Sequence, residues 1–150
     1  MSNTPTLRGM ATVSFFADDL KEAGKWYTEL LGIEPYYKFP DEDKPAYIEF
    51  RIGDYQHELG IINRKLAPKS AATGPGGAVL FWHVDDINAM LEKLKSMGAK
   101  EYEPLTKREE GFITASVIDP FGNILGVMYN PHYLQVLARS DDMSHAVGIR

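Results

Sequence analysis

The chain repeats one order of predicted elements, and this internal repeat constrains the fold more than any other feature. When the second half is laid over the first, the aspartate pair at residues 18–19 falls on the pair at 85–86, and with one deletion Gly32 falls on Gly98. Aspartate is a preferred helix N-cap and glycine a preferred residue just past a helix, so each half predicts a capped helix between strands. The repeat predicts two tandem βαβββ modules, and an α+β domain without duplication is the alternative.

Hydrophobic periodicity and turn residues set the bounds of the predicted elements. Module one covers about residues 8–64, a linker rich in Ala, Pro, Gly and Ser covers 65–77, module two covers about 78–130, and a C-terminal tail covers 131–150. The predicted strands are 11–16, 34–39, 46–52 and 56–63, then 78–84, 100–105, 112–118 and 124–129, with helices over 19–31, 87–97 and, in the tail, 132–139. Fraying is expected after residue 140. We therefore expect one α+β domain over residues 1–150, whose two modules form a curved mixed sheet around a shared cavity.

Composition and charge exclude several classes of function. The chain has 150 residues and no cysteine, which excludes disulfides, thiolate zinc sites and cysteine nucleophiles. Its formal net charge is −5, whereas binding to nucleic acid requires a basic face. No apolar stretch approaches the roughly 20 residues that a membrane helix requires, and the N-terminus lacks the apolar core of a signal peptide. We expect a cytoplasmic protein with no nucleic-acid or membrane partner.

The strand faces turned away from the helices carry the candidate binding residues. Strand residues alternate between two faces, and the faces not covered by helices combine aromatic rings, hydroxyls, carboxylates, an arginine and a histidine. Such a mixture is typical of a ligand cavity and also of a solvated sheet face, and its large apolar side chains favour the cavity. The candidate ligand-binding residues are Phe16, Tyr47, Glu49, Arg51, Glu58, Phe81, His83, Phe112 and Met128.

Glu58 is the most informative polar candidate. A lone carboxylate that faces a largely apolar cavity can have a raised pKa and act as a base, or it can bind a cationic ligand. The alternative is that Glu58 lies hydrated at the cavity mouth. Glu49 and Arg51 are i, i+2 neighbours on one strand, so they can pair with each other or with a ligand. His57 falls on the helix-covered side, which favours a structural role.

Two motifs resemble a known family. The run DPFGNI at residues 119–124 resembles the D-P-[DF]-G-N signature of the vicinal oxygen chelate superfamily, and WYTELLG at 26–32 resembles its F/W-Y-x-x-x-L-G helix motif. The superfamily includes glyoxalase I, extradiol dioxygenases and the fosfomycin- and bleomycin-resistance proteins. The resemblance covers about residues 8–130 and implies the paired βαβββ fold. The turn motif specifies fold rather than chemistry, since Asp119 can accept hydrogen bonds from downstream amides and Gly122 allows a positive φ.

The resemblance also implies a divalent metal held by the first and last strands of each module, usually through His, Gln or Glu. The corresponding positions here are Thr12, Glu58, Val79 and Gly126, and Gly60 is the alternative to Glu58 if the register differs by two residues. Only Glu58 ligates a metal well, and one carboxylate with one hydroxyl is too small a ligand set for a divalent ion. We therefore expect no metal and no other cofactor.

These observations lead to three hypotheses about function. The first is a metal-free binding protein similar to the bleomycin-resistance type, which sequesters a small organic molecule or an antibiotic and, as the resemblance implies, forms a homodimer. The second is an enzyme that transfers a proton on, or isomerises, a carbonyl compound, with Glu58 as catalytic base and His83 as its partner, or one with a non-standard metal site. The third is a glyoxalase I-like lyase, and the missing metal ligands count against it.

Overall fold

The computed structural model describes residues 4–69 and 74–146, with side chains described as far as residue 142. The chain divides into two compact units, residues 1–71 and 72–150, each with its own sheet. The division falls within the segment predicted as a linker, of which residues 70–73 lie outside the described part. In the described ranges, no helix is both long and apolar enough to cross a membrane.

Unit one is a four-stranded mixed sheet with one helix. Its elements are β1 (Thr12–Ala17), α1 (Leu20–Leu31), β2 (Tyr37–Phe39), β3 (Tyr47–Ile52) and β4 (His57–Asn63), followed by a short 3-10 turn at Arg64–Leu66. The strand order is β1-β4-β3-β2, with β1 parallel to β4 and the other pairs antiparallel. β1 and β4 are adjacent, so residues paired in their register, such as Thr12 and Glu58, lie side by side on the same face of the sheet.

The predicted caps and faces account for the core of unit one. The Asp19 side chain accepts a hydrogen bond of 3.1 Å from the Glu22 amide at the start of α1, and Gly32 ends the helix with φ 71°. The apolar face of α1 packs on β3 and β4. The core side chains that the sheet contributes beneath it are Phe15, Ile48, Phe50, Leu59 and Ile61, all buried as the alternation predicts. The opposite face of the sheet is therefore left to the polar side chains.

Unit two repeats this arrangement. Its elements are β5 (Phe81–His83), α2 (Ile87–Ser96), β6 (Lys100–Lys107), β7 (Ile113–Ile118), β8 (Ile124–Tyr129) and α3 (Pro131–Ala146), with a short 3-10 turn at Glu109–Gly111. The strand order β5-β8-β7-β6 matches that of unit one, with β5 parallel to β8. Asp86 caps α2 by accepting from the Ala89 amide at 3.0 Å. The α+β class and the two tandem βαβββ modules are confirmed.

Three predicted elements differ in length from the observed ones by three residues or more. β2 spans only Tyr37–Phe39, because Pro35 in the predicted segment has no amide hydrogen to donate to a ladder. β5 spans only Phe81–His83, although single hydrogen bonds to β8 continue the pairing at Leu80 and Val84 on either side of it. α3 continues to Ala146 rather than fraying after residue 140, in a segment that contains neither glycine nor proline after Pro131.

Candidate functional site

Five side chains of unit one form a connected polar surface, which we call the polar face: Thr12, Tyr47, Glu49, Arg51 and Glu58. They come from β1, β3 and β4 and point away from α1 because they alternate with the core residues. The register places Glu58 directly opposite Thr12 on one side and Arg51 on the other. Four of the five are predicted ligand-binding residues. The fifth, Thr12, was predicted only as a poor metal ligand.

Glu58 lies at the centre of the polar face, and both of its oxygens have partners. The Thr12 hydroxyl donates to Oε1 at 2.9 Å, and Arg51 Nη2 lies 3.2 Å from Oε2. The hydrogen bond with Glu49, then that from Thr12, lowers the pKa of Glu58, while burial opposes the shift and the Arg51 charge favours it. Glu58 is therefore an ionised, paired carboxylate, in contrast to the raised pKa considered from the sequence.

The pKa of Glu49 is shifted in the opposite direction to that of Glu58. The Tyr47 hydroxyl donates to its Oε1 at 2.5 Å. Burial, followed by the hydrogen bond with Glu58 and the Glu58 charge, raises the pKa of Glu49 to about 7, against a lowering effect of Arg51. Burial and the charge of Glu58 also raise the pKa of Tyr47. The two carboxyl groups thus share one proton near neutral pH, as close carboxylate pairs do.

The shared proton predicts a pH dependence of stability. Because the pKa of Glu49 is raised from 4.5 to about 7, the folded chain binds more protons than the unfolded chain between these values, so this residue's contribution to stability is complete below pH 4.5 and is lost as pH rises through 7. We expect the free energy of unfolding to fall by about 2 kcal/mol between pH 5 and 8, less than the full shift implies because solvent reaches the partly exposed Glu49 carboxyl group. Urea denaturation across this range measures it.

The Glu49→Gln variant should remove most of that decline, whereas Glu22→Gln, at an exposed glutamate on α1, should keep it. The lowered pKa of Glu58 acts in the opposite sense, contributing stability above pH 4.5 that is lost as pH falls through the folded-state value. An undiminished decline in Glu49→Gln would show that another group binds the proton.

An aromatic rim borders the polar face on the β2 side. The Arg51 guanidinium lies 5.1 Å from the centre of the Tyr36 ring, within cation–π range. The Tyr37 and Tyr47 rings meet edge to face with centroids 6.3 Å apart. Tyr36, Tyr37 and Phe39 are all about half exposed. Tyr36 and Tyr37 were not among the predicted site residues, although two adjacent tyrosines within the predicted strand 34–39 were a usable signal.

His83, the predicted catalytic partner of Glu58, is held by contacts within unit two. Its side chain is only 8% exposed, and Nε2 lies 3.1 Å from Asp85 Oδ1. The Asn130 amide donates to Nδ1 at 3.1 Å, so the neutral tautomer with its proton on Nε2 satisfies both contacts. The ring also stacks on Tyr133 at 4.8 Å. Both ring nitrogens are therefore engaged, which favours a structural role in which His83 on β5 holds the start of α3.

The remaining predicted ligand-binding residues have separate surroundings. Phe16 is half-buried on β1, opposite Ile62. Phe81 is 41% exposed and pairs with Gly126 across β5 and β8. The sulfur of Met128 accepts a weak hydrogen bond of 3.7 Å from the side-chain amide of Asn130. Phe112 lines a shallow surface depression with Lys107, Arg108, Glu109, Glu110 and Thr114.

The residues at the family's metal positions do not fit a divalent metal. The oxygens of Glu58 already bind Thr12 and Arg51, and a guanidinium beside a carboxylate opposes a second cation. In unit two, Val79 and Gly126 offer no ligating side chain. Among the side chains that the structure describes, those of residues 4–69 and 74–142, no group of three or more His, Cys, Asp or Glu is arranged to hold a metal ion.

The register also shows which positions of the two modules correspond. Gly60 pairs with Ser14 on β1, and Gly126 pairs with Phe81 on β5. Ser14 and Phe81 occupy the same place ahead of the aspartate N-caps in the internal repeat. Gly126 is therefore the counterpart of Gly60 rather than of Glu58, and each module carries a glycine at this place on its last strand.

Comparison with known proteins agrees with the fold and the motifs. The family model described as Glyoxalase/Bleomycin resistance protein/Dioxygenase superfamily matches residues 9–127. No curated protein matches the chain. Among solved structures, a glyoxalase-related enzyme from Fulvimarina pelagi is 20% identical with a TM-score of 0.65, covering 83% of this chain and 90% of its own.

Two further solved structures show the same likeness. A lactoylglutathione lyase from Agrobacterium tumefaciens is 18% identical with a TM-score of 0.62, covering 84% of this chain and 96% of its own. A glyoxalase/bleomycin resistance protein from Catenulispora acidiphila is 22% identical with a TM-score of 0.56, covering 82% of this chain and 100% of its own. At these identities the likeness establishes the fold alone.

Proposed function

Because this chain belongs to the glyoxalase/bleomycin resistance protein/dioxygenase superfamily, we propose that it binds a small organic molecule without a metal ion, on the polar face of unit one. The observation that carries the proposal is the connected set of Thr12, Glu58, Arg51, Glu49 and Tyr47 beside exposed aromatic rings. This combination supplies directed polar groups next to apolar surface, as small-molecule sites do.

The chemistry of the polar face indicates what kind of molecule fits. The Arg51 side chain is 45% exposed, so its guanidinium keeps donors available to an oxygen acceptor of the ligand. Glu49, with a pKa of about 7, can accept or donate a hydrogen bond near neutral pH. The rings of Tyr36, Tyr37 and Phe39 offer a surface to a planar apolar group. The proposed ligand is therefore a planar organic molecule with hydrogen-bonding substituents.

A proton-transfer enzyme with Glu58 as base has less support than a binding protein. The lowered pKa of Glu58 makes it a weak base, and both of its oxygens already accept from neighbours. His83, the proposed partner, has both nitrogens engaged inside unit two. The homodimer and the sequestration of an antibiotic that the resemblance implies stay proposals.

A thermal-shift screen tests the binding proposal. We expect planar aromatic compounds with polar substituents to raise the melting temperature of the wild-type chain, because a ligand at about 100 times its Kd adds about 2.7 kcal/mol to stability. Arg51→Ala should weaken binding about tenfold or more, since a charge-assisted hydrogen bond contributes about 1.5–3 kcal/mol. The matched control is Lys25→Ala, which removes an exposed cation paired with Glu22 on α1.

Two outcomes would count against the proposal. One is a broad library of such compounds that leaves the melting temperature unchanged. The other is a ligand that binds Arg51→Ala and Lys25→Ala equally well. If instead a carbonyl compound is turned over and Glu58→Gln abolishes the turnover, the enzyme hypothesis replaces the binding one.

A further inference from the structure

The structure leaves no room for a side chain at Gly60, and the obstacle is a residue of the polar face. Gly60 is buried on β4, and its backbone does not have the positive φ that favours glycine. A Cβ atom built on it would lie 2.5 Å from the Tyr47 hydroxyl and 2.7 Å from Cε1 of the same ring. Real Cβ atoms essentially never approach other heavy atoms this closely. The space that a side chain at residue 60 would fill is therefore occupied by Tyr47.

The position of the Tyr47 ring determines its contact with Glu49. Glu49 is the direct cross-strand partner of Gly60, and Tyr47 is the partner of Ile62 two pairs further along, on the same face of the sheet. From there the Tyr47 ring lies diagonally over Gly60, and its hydroxyl donates to Glu49 Oε1 at 2.5 Å. A side chain at residue 60 would push the ring off the strand and break this hydrogen bond.

Unit two contains the same arrangement at the corresponding place. A Cβ atom on Gly126 would lie 2.8 Å from Cδ1 and 3.1 Å from Cε1 of the Phe81 ring. Here the ring comes from the first strand of the module rather than from the third, yet it covers the equivalent glycine of the last strand. The family's metal ligands project from the first and last strands of each module. In this chain an aromatic ring covers a glycine on the last strand of each module instead.

We propose that Gly60 is a specificity-determining residue and Tyr47 a positioning residue: the missing side chain admits the ring, and the ring holds Glu49 on the ligand-binding side of the sheet. This inference rests on the proposed binding function and deepens it. The ligand then meets a ring face and a carboxyl group where a metal-dependent relative presents a metal ligand. The class of ligand this favours is a planar molecule that stacks on Tyr47 and hydrogen-bonds to Glu49.

A double-mutant cycle tests the steric part without any ligand. Gly60→Ala should lower the melting temperature of the wild-type chain by about 3 °C or more, but should have little effect in a Tyr47→Ala background, where the obstructing ring is gone. Gly76→Ala is the matched control, because a Cβ there meets nothing within 4 Å. Equal effects of Gly60→Ala in both backgrounds would overturn the inference.

A second measurement separates positioning from packing. NMR with carboxyl-labelled glutamate follows the titration of Glu49, assigned through Glu49→Gln. Removal of the Tyr47 donor destabilises the carboxylate, so the pKa of Glu49 should rise above about 7 in Tyr47→Phe and in Gly60→Ala. A titration unchanged in both variants would show that the ring only fills space and would overturn the positioning role.

The ligand arm distinguishes failure of this inference from failure of the proposed function. If a planar aromatic compound from the screen binds the wild-type chain, Gly60→Ala and Tyr47→Phe should each weaken it about tenfold or more, while Gly76→Ala should not. Undiminished binding to both variants overturns the inference and leaves the proposed function standing. Absence of any binding to the wild-type chain overturns the proposed function, while the double-mutant cycle and the Glu49 titration still judge the placement of Tyr47.

Discussion

Replacement of Asp119 by alanine should lower the free energy of unfolding by about 3 kcal/mol, the largest loss expected from a single side chain outside the apolar core. Asp119 is 3% exposed in the turn between β7 and β8. Its carboxylate accepts from the Phe121 amide at 2.9 Å, the Asn123 amide at 2.8 Å and the Asn123 side chain at 3.0 Å. Alanine would leave these donors without their acceptor, and a lost bond to a charged group costs more than a neutral one.

Asp41 provides a matched control for this prediction. Its exposed side chain accepts from the Asp43 amide at 3.0 Å and the Lys44 amide at 2.7 Å in another turn. Water can replace that acceptor, so Asp41→Ala should cost less than about 1 kcal/mol. Urea denaturation of both variants makes the comparison. Equal losses in the two variants would mean that the burial of Asp119 adds nothing to the stability of the DPFGN turn.

This turn shows what could be predicted from the sequence. Asp119, which accepts from downstream amides, and Gly122, which has φ 93°, behave as the motif predicts. The caps at Asp19 and Asp86 and the buried core residues of β1, β3 and β4 also follow from local residue chemistry. Each of these features depends on a few neighbouring residues or on simple alternation, so sequence patterns were sufficient.

The pairing inside the polar face depended on a register that the sequence leaves open. The Gly53-Asp54 dipeptide is compatible with a two-residue hairpin loop, which would place Glu49 opposite Glu58. The observed loop has four residues between β3 and β4, with Gln56 at φ 54°, and it places Arg51 opposite Glu58 instead. A change of loop length therefore decides whether Glu58 faces a like charge or an opposite one.

The opposite pKa shifts of the two glutamates could not be predicted for the same reason. From the sequence, Glu58 is a lone carboxylate on an apolar face. In the structure the register brings Thr12, Arg51 and Glu49 to it. Glu58 is therefore ionised, and the proton of the pair is bound by Glu49. The group whose pKa lies near 7 is Glu49, which is partly buried and hydrogen-bonded to Glu58. Long-range contacts decide which member of the pair is ionised.

Gly126→Ala should destabilise unit two by about 3 kcal/mol, more than Gly60→Ala destabilises unit one, although both glycines lie beneath an aromatic ring. The difference lies in what the new methyl group would meet. At residue 60 the obstacle is the outer edge of Tyr47, which can swing away at the cost of its hydrogen bond to Glu49. At residue 126 a Cβ atom would also lie 2.6 Å from the Leu80 carbonyl oxygen, which is backbone.

The Leu80 carbonyl cannot move without breaking sheet pairing, because it accepts a hydrogen bond of 3.0 Å from the Gly126 amide at the edge of β5. Removal of the ring should therefore rescue one variant and not the other. Tyr47→Ala should suppress the cost of Gly60→Ala, while Phe81→Ala should leave most of the cost of Gly126→Ala, as measured by urea denaturation of the single and double variants. Full rescue by Phe81→Ala would show that the ring is the obstacle in both units. If the cost of Gly126→Ala persists without the ring, the backbone itself excludes any side chain at residue 126. A metal-ligating side chain could then be introduced there only if the pairing of β5 with β8 changed.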